Sequence, residues 1–249
     1  MVETDHRPGL TPEETELLSQ YGEEERRSLE SRIASGEPSA YVLGKKFFYR
    51  NYFSINADCL IPRPDTERVV DEAIALLPRN GRLADLCTGS GCIALSVLFD
   101  RRDATAYACD ISEGALNAAR NNASALGLAD RIVIERRDVL TGASSVEKYD
   151  LIVSNPPYLR TSEIEEYPDL AAEPRIALDG GPDGLEFYRS IITLCGGALR
   201  NNGAFIFEIG YSQADAIKRL AQLQGYTCVI KKDYGGNDRV TAGRWEVSL

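Results

Sequence analysis

Apolar positions along the chain follow two rhythms that meet near Arg82. Upstream, Thr11-Pro12-Glu13-Glu14 reads as a helix start: threonine caps, proline takes the first position and glutamate completes a capping box. Two short amphipathic helices are predicted to about Ser35, closed by Gly36-Glu37-Pro38. Lys46-Phe47-Phe48-Tyr49 and Tyr52-Phe53-Ser54-Ile55, separated by Arg50-Asn51, predict a β-hairpin. The stiff Ile61-Pro62-Arg63-Pro64 then leads into a helix from about Thr66 to Leu77.

Downstream, short apolar runs alternate with helical ones. Strands are predicted at 83–86, 104–109, 132–135, 151–154, 204–209, 228–232 and 240–247, and helices at about 92–99, 113–126, 185–199 and 213–224. This alternation predicts an α/β fold: a doubly wound, seven-stranded, mostly parallel sheet covered on both faces. The expected organisation is a small helical N-terminal domain (1–38), a connecting β-hairpin and linker (39–64) and a large α/β domain (65–249). Ligands of such sheets bind beyond the carboxyl ends of the strands, near the switch point.

Charge narrows the partners. Thirty-eight acidic against 28 basic residues give a net charge of -10, a surface that repels nucleic acid unless a basic patch overrides it. The basic pairs Arg26-Arg27, Lys45-Lys46 and Lys231-Lys232 are scattered, so a protein or small-molecule acceptor is expected, with no direct nucleic-acid contact. The six cysteines contain no C-x-x-C pair and the single histidine is His6, which argues against a metal site and against histidine-based catalysis. No run is apolar enough for a membrane span and the N-terminus lacks a signal-peptide layout, so the expected location is cytoplasmic.

Candidate chemistry gathers at the predicted strand ends. The first strand of the large domain runs into Asp85-Leu86-Cys87-Thr88-Gly89-Ser90-Gly91, where glycines let backbone approach a ligand and turn into a helix. The second ends at Asp110, placed to accept hydrogen bonds from ribose hydroxyls. After the third, Asp138 can meet the exocyclic amine of an adenine and Val139 can pack on its ring. Gly89-Ser90-Gly91-Cys92-Ile93-Ala94 also fits the dinucleotide fingerprint, so this half of the site leaves dinucleotide and S-adenosylmethionine both open.

The fourth strand decides between them, because it runs into Asn155-Pro156-Pro157-Tyr158. An amide or exocyclic amine nitrogen is a poor nucleophile, its lone pair being delocalised. Two acceptors, the Asn155 side-chain oxygen and the Pro156 carbonyl, can hold both N–H groups and aim the lone pair at a sulfonium methyl. The prolines restrict the backbone so that the carbonyl points inward, and Tyr158 offers an aromatic face to a planar group. A dinucleotide enzyme has no use for such a clamp. Asn155, Pro156 and Tyr158 are therefore the candidate catalytic residues, with Pro157 completing the acceptor-binding set. Asp85, Cys87, Thr88, Gly89, Ser90, Gly91, Asp110, Asp138, Val139 and Asn155 are the candidate cofactor residues.

With these motifs the chain resembles the protein-glutamine N5-methyltransferases that modify peptide-chain release factors. The resemblance runs from about Gly36 to Trp245 and includes Leu60–Glu67, Glu173–Leu178, Gly180–Arg189, Phe207–Gly210 and Asp233–Val240. It implies a class I methyltransferase fold, S-adenosylmethionine as methyl donor, and the glutamine of a Gly-Gly-Gln loop as acceptor, with the helical N-terminal domain helping to dock the release factor. Cys87 stands where the family's loop often has glycine, so its side chain is expected to point away from the ligand. Enzymes that methylate a ribosomal-protein glutamine, or a nucleic-acid adenine, would use the same clamp.

Overall fold

The structure is a computed structural model in which residues 10–141, 147–167 and 170–245 are described. His6 and the last two positions of the strand expected at 240–247 lie outside the described residues. Three helices come first: α1 (Pro12–Ser19), α2 (Glu23–Ala34) and α3 (Ser39–Leu43). The capping box forms, with the Glu14 N–H donating to the Thr11 hydroxyl at 3.3 Å and the Thr11 N–H to the Glu14 carboxylate at 3.0 Å. The sequence does not announce α3, whose five residues are too short for a helical period; its Leu43 packs with Leu17 and Leu18.

The hairpin pairs β1 (Lys45–Phe48) with β2 (Asn51–Ser54). Its turn is Tyr49-Arg50, one residue earlier than the sequence suggests, because Phe48 lies opposite Asn51. Tyr49 adopts φ 57°, a conformation uncommon for a bulky side chain. The next helix, α4 (Glu67–Leu76), supplies the reason: Glu67 accepts from the Tyr49 N–H at 2.8 Å and Asp71 from its hydroxyl at 3.0 Å.

The large unit follows as β3 (Arg82–Leu86), α5 (Cys92–Asp100), β4 (Thr105–Asp110), α6 (Glu113–Ala125), β5 (Ile132–Arg136), β6 (Tyr149–Ser154), α7 (Thr161–Ile164), α8 (Glu186–Ala198), β7 (Leu199–Glu208), α9 (Ala214–Leu223), β8 (Tyr226–Lys232) and β9 (Asp238–Trp245). The seven strands lie in the order β5-β4-β3-β6-β7-β9-β8, with β9 antiparallel to both neighbours and the rest parallel. The expected doubly wound sheet is thus present, and its order reverses between β3 and β6.

Strand side chains alternate between two cores, as the pleat requires. Leu83, Leu151, Val153 and Ile206 join α4 and α5 on one face. Ala84, Leu86, Ile152, Phe205 and Phe207 join α8 and α9 on the other. Burial on both faces is why these strands read as continuous apolar runs. Helix α5 is buried on every face from Cys92 to Leu98, and all of that stretch but Ser96 is apolar. Among the described residues no helix is long and apolar enough to cross a membrane.

On β7 and β9 the Phe205 ring lies over Gly243, its cross-strand partner. A Cβ at residue 243 would meet the Phe205 ring at 2.1 Å. Gly243→Ala is therefore expected to lower stability by about 1–3 kcal/mol through overpacking. Thermal unfolding of Gly243→Ala, Phe205→Leu and the double variant checks this: the two changes should be less costly together than their sum, and strict additivity would refute the contact.

Candidate active site

At the switch point the parallel ladder of β3 and β6 ends with Leu86 opposite Ser154, whose hydroxyl donates to the Leu86 carbonyl at 2.6 Å. Beyond them opens a cavity of about 200 Å³, lined by the 87–90 loop, Asp110, the 137–140 turn, Asn155 and Phe187.

The loop is shaped from behind. Asp85 is fully buried, and one of its carboxylate oxygens accepts from the Thr88 hydroxyl at 2.7 Å and the Ala94 N–H at 3.2 Å. Gly91, at φ 81°, precedes α5; a Cβ there would meet Leu95 at 3.0 Å and Ala119 of α6 at 3.2 Å. At Gly89, at φ 56°, an added Cβ meets nothing within 4 Å. Cys87 also takes a left-handed conformation, φ 58°, and its side chain packs against the core on the α8 face.

Asp110 is anchored at both oxygens, by the Gly89 N–H at 2.9 Å and the Ser112 N–H at 3.0 Å. Burial raises its pKa, although these backbone N–H groups act the other way. Each oxygen keeps a lone pair for a further donor. Asp138 accepts from the Leu140 N–H at 2.8 Å, a local turn that aims the 138–140 segment at the cavity. Val139 is buried, and its carbonyl accepts from Ser190 of α8.

Asn155 lines this cavity and a smaller one of about 50 Å³ that also holds Arg63, Pro156, Tyr158, Glu208 and Arg239. The Asn155 Nδ2 donates to Thr66 at 3.3 Å, whereas its Oδ1 is buried and has no partner among the described residues. The turn that carries it is braced by distant segments. Gly180 packs so close that a Cβ would sit 2.8 Å from the Pro157 carbonyl, and its N–H donates to the Leu159 carbonyl at 2.8 Å. Gln213 donates to the Tyr158 carbonyl at 2.9 Å. The Tyr158 hydroxyl donates to Glu208 at 3.4 Å. Arg63 pairs with buried Glu173, which also accepts from the Ile61 N–H at 3.1 Å.

The structure brings Cys87, Thr88, Gly89, Ser90, Asp110, Asp138, Val139, Asn155 and Pro157 to the larger cavity, and Asn155, Pro156 and Tyr158 to the smaller one. It leaves Asp85 and Gly91 one layer behind the wall, where they fix the loop and the helix approach. Thr66, Phe187, Arg63, Glu208 and Arg239 line the cavities without having been singled out. Thr66 and Phe187 sit at helix starts and read as helix, and Glu208 closes an apolar strand. Their placement in recurrent family segments was the available signal. Among the described residues no cluster of His, Cys, Asp and Glu is arranged to hold a metal ion.

Comparison with known proteins gives the family. Residues 68–171 match the methyltransferase small domain family model. A release factor glutamine methyltransferase of Neisseria gonorrhoeae is 40% identical over 92% of this chain and 87% of its own length. The chain belongs to the release factor glutamine methyltransferase family. Its relative of that name in Caulobacter vibrioides is 38% identical, over 97% of this chain and 82% of its own. The same fold appears in a methyltransferase from Pyrococcus furiosus at 16% identity, with a TM-score of 0.57 over 87% of this chain and 97% of that one.

Burial pushes the Asp85 carboxyl up to about 7, despite the hydrogen bonds from Thr88 and Ala94, and the charge of Asp110 adds to the rise. Its folded-state value thus exceeds the unfolded one of about 3.9, and the folded protein holds the extra proton between them. The stability this contributes is complete near and below pH 4 and is lost as pH rises through the folded-state value. Asp85→Asn keeps an acceptor for both donors and has no charge to bury. Denaturant unfolding should show the variant gaining on the wild type between about pH 4 and pH 7 and levelling off above; a difference independent of pH would refute a protonated Asp85.

Proposed function

We propose that this enzyme transfers a methyl group from S-adenosylmethionine to the side-chain amide nitrogen, N5, of the glutamine in the Gly-Gly-Gln loop of peptide-chain release factors. The observation that carries the reading is the Asn155 Oδ1: a buried acceptor with no internal partner, on the wall shared by two cavities. Leaving such a group unpaired costs about 1–3 kcal/mol, which an acceptor N–H offsets on binding. The names of the relatives and the family motifs around the site support the choice of acceptor.

The larger cavity fits the donor's nucleoside. Asp110 offers free lone pairs on anchored oxygens for the ribose hydroxyls, Asp138 and Val139 take the adenine, and the 87–90 backbone lies against the remainder. Open space at Gly89 is consistent with close approach there. Asp85 and Gly91 act indirectly, by holding the loop and helix. When bound, S-adenosylmethionine supplies an electrophilic methyl on a sulfonium sulfur.

The chain's own contribution is positioning and charge complementarity. Asn155 Oδ1 and the Pro156 carbonyl accept the two N–H groups of the amide, hold the nitrogen towards the donor and stabilise the positive charge that develops on it. After transfer one N–H proton passes to water, leaving a neutral N-methyl amide. Tyr158, with its hydroxyl tied to Glu208, presents a fixed ring to the planar amide. The net charge of -10 supports a protein acceptor over a nucleic acid.

Labelled S-adenosylmethionine, purified release factor and peptide mass spectrometry test the acceptor, with ribosomal protein and single-stranded DNA offered in parallel. Label on the Gly-Gly-Gln glutamine is expected; label on either alternative alone overturns the assignment. Asn155→Ala should lower kcat by roughly 10²–10³-fold, the scale for losing one preorganised polar contact, with donor affinity kept. Near-normal turnover would remove the clamp. Asp110→Ala should weaken donor binding by roughly tenfold or more in calorimetry, since hydrogen bonds to a charged group are lost; unchanged affinity would take Asp110 out of the ribose site.

A further inference from the structure

An asparagine clamp works only if its oxygen, and not its nitrogen, faces the acceptor, and the two ends of a carboxamide have nearly the same shape. Something else must therefore choose the end. Thr66 is 2% exposed, and its hydroxyl donates to Glu208 at 2.6 Å. A hydroxyl has one proton, so towards Asn155 Thr66 can only accept. The group it meets at 3.3 Å is accordingly the Asn155 Nδ2, and Oδ1 is left on the cavity side without a partner.

Glu208 is the origin of this polarity. It is 1% exposed at the end of β7; burial disfavours its charge, while the Thr66 and Tyr158 hydroxyls and the nearby Arg239 favour it, and as a carboxylate it accepts and does not donate. Its second oxygen accepts from the Tyr158 hydroxyl at 3.4 Å, so one residue orients both the clamp and the aromatic face. Its backbone is fixed as well, because the Tyr188 hydroxyl donates to the Glu208 carbonyl at 2.7 Å. We propose that Glu208 and Thr66 are positioning residues that set the direction of the Asn155 carboxamide, through a one-way chain of hydrogen bonds from Asn155 to Thr66 to Glu208. The proposal rests on the reading of Asn155 as the amide clamp.

The test uses the full-length enzyme with the donor bound and two independent readouts. Thr66→Val keeps the shape and removes the hydroxyl, whereas Thr66→Ser keeps it. In steady-state methyl transfer to release factor, Thr66→Val should lose roughly ten- to a hundredfold in kcat with donor affinity close to wild type, its melting temperature falling because buried Glu208 loses a donor, and Thr66→Ser should restore most of both. Glu208→Gln, which keeps the volume but can also donate, should lose kcat in the same direction; wild-type kcat there removes Glu208 from the chain.

The second readout does not depend on the acceptor. In enzyme labelled with ¹⁵N-asparagine, the Asn155 carboxamide signal is assigned by its absence in Asn155→Ala. Its proton exchange should be slow in wild type and Thr66→Ser, and at least several-fold faster in Thr66→Val. Unchanged exchange in Thr66→Val overturns the chain whatever the turnover. Faster exchange with wild-type kcat overturns its role in the reaction, and equal losses in Val and Ser assign the effect to packing. Failure of the wild type to methylate release factor would sink the proposed acceptor, while the exchange measurement would still decide the orientation.

Discussion

A buried hydrogen-bond acceptor with nothing to accept is unstable by itself, and most proteins avoid one. Asn155 Oδ1 is held in that state by everything around it. Ser154 pins β6 to β3, so the residue that follows emerges at the switch point. The two prolines stiffen the next step, and Gly180 and Gln213 close on the backbone of Pro157 and Tyr158. Thr66 takes the other end of the carboxamide. None of these contacts touches the reacting atoms, yet each removes a way for Asn155 to satisfy itself by turning aside. The site's readiness is strain of polar satisfaction, stored by packing.

The carboxyl ends of β3, β4 and β7 each carry or lead into an acid, Asp85, Asp110 and Glu208, and burial raises the pKa of all three. Their surroundings then give them different work. Asp85 has its donors on one oxygen and no room for ligand, so it serves the loop. Asp110 has one donor on each oxygen and opens on the larger cavity. Glu208 takes the Thr66 and Tyr158 hydroxyls, with Arg239 nearby moderating the cost of its charge. Residue type alone cannot separate these roles; the distribution of donors around each carboxylate does.

The strands and long helices of the large unit were legible because two-sided burial makes strands into apolar runs and caps mark helices. The hairpin was legible too, but its turn was not, since the left-handed Tyr49 is held by Glu67 and Asp71 across the structure. The glycine loop and Asn155–Tyr158 stood out as the site. Asp85 and Gly91 did not separate from their neighbours, because a residue that touches a ligand and one that braces it from behind occupy the same motif. Thr66 and Glu208 were hidden more deeply: they lie 142 residues apart and their meaning is a hydrogen bond.

This difference in legibility has a physical origin in how the two halves of the site are made. The larger cavity is lined by three adjacent βα turns, 87–90, 110–112 and 137–140, so short stretches of local sequence build most of it. The smaller cavity draws on Arg63, Glu208 and Arg239 together with Pro156, Tyr158 and Leu178, around which the described residues form short helical turns and one isolated bridge between Leu159 and Asp179. Glu173 anchors these turns to Ile61 and Arg63, and Gln213 donates to the carbonyls of both Tyr158 and Gly184. Each anchor joins residues distant in sequence, and because Asn155, Pro157, Ile176 and Ala177 also line the larger cavity, a change on either side is felt in both cavities. The two cavities share that wall, and it is the part of the site that local sequence specifies least.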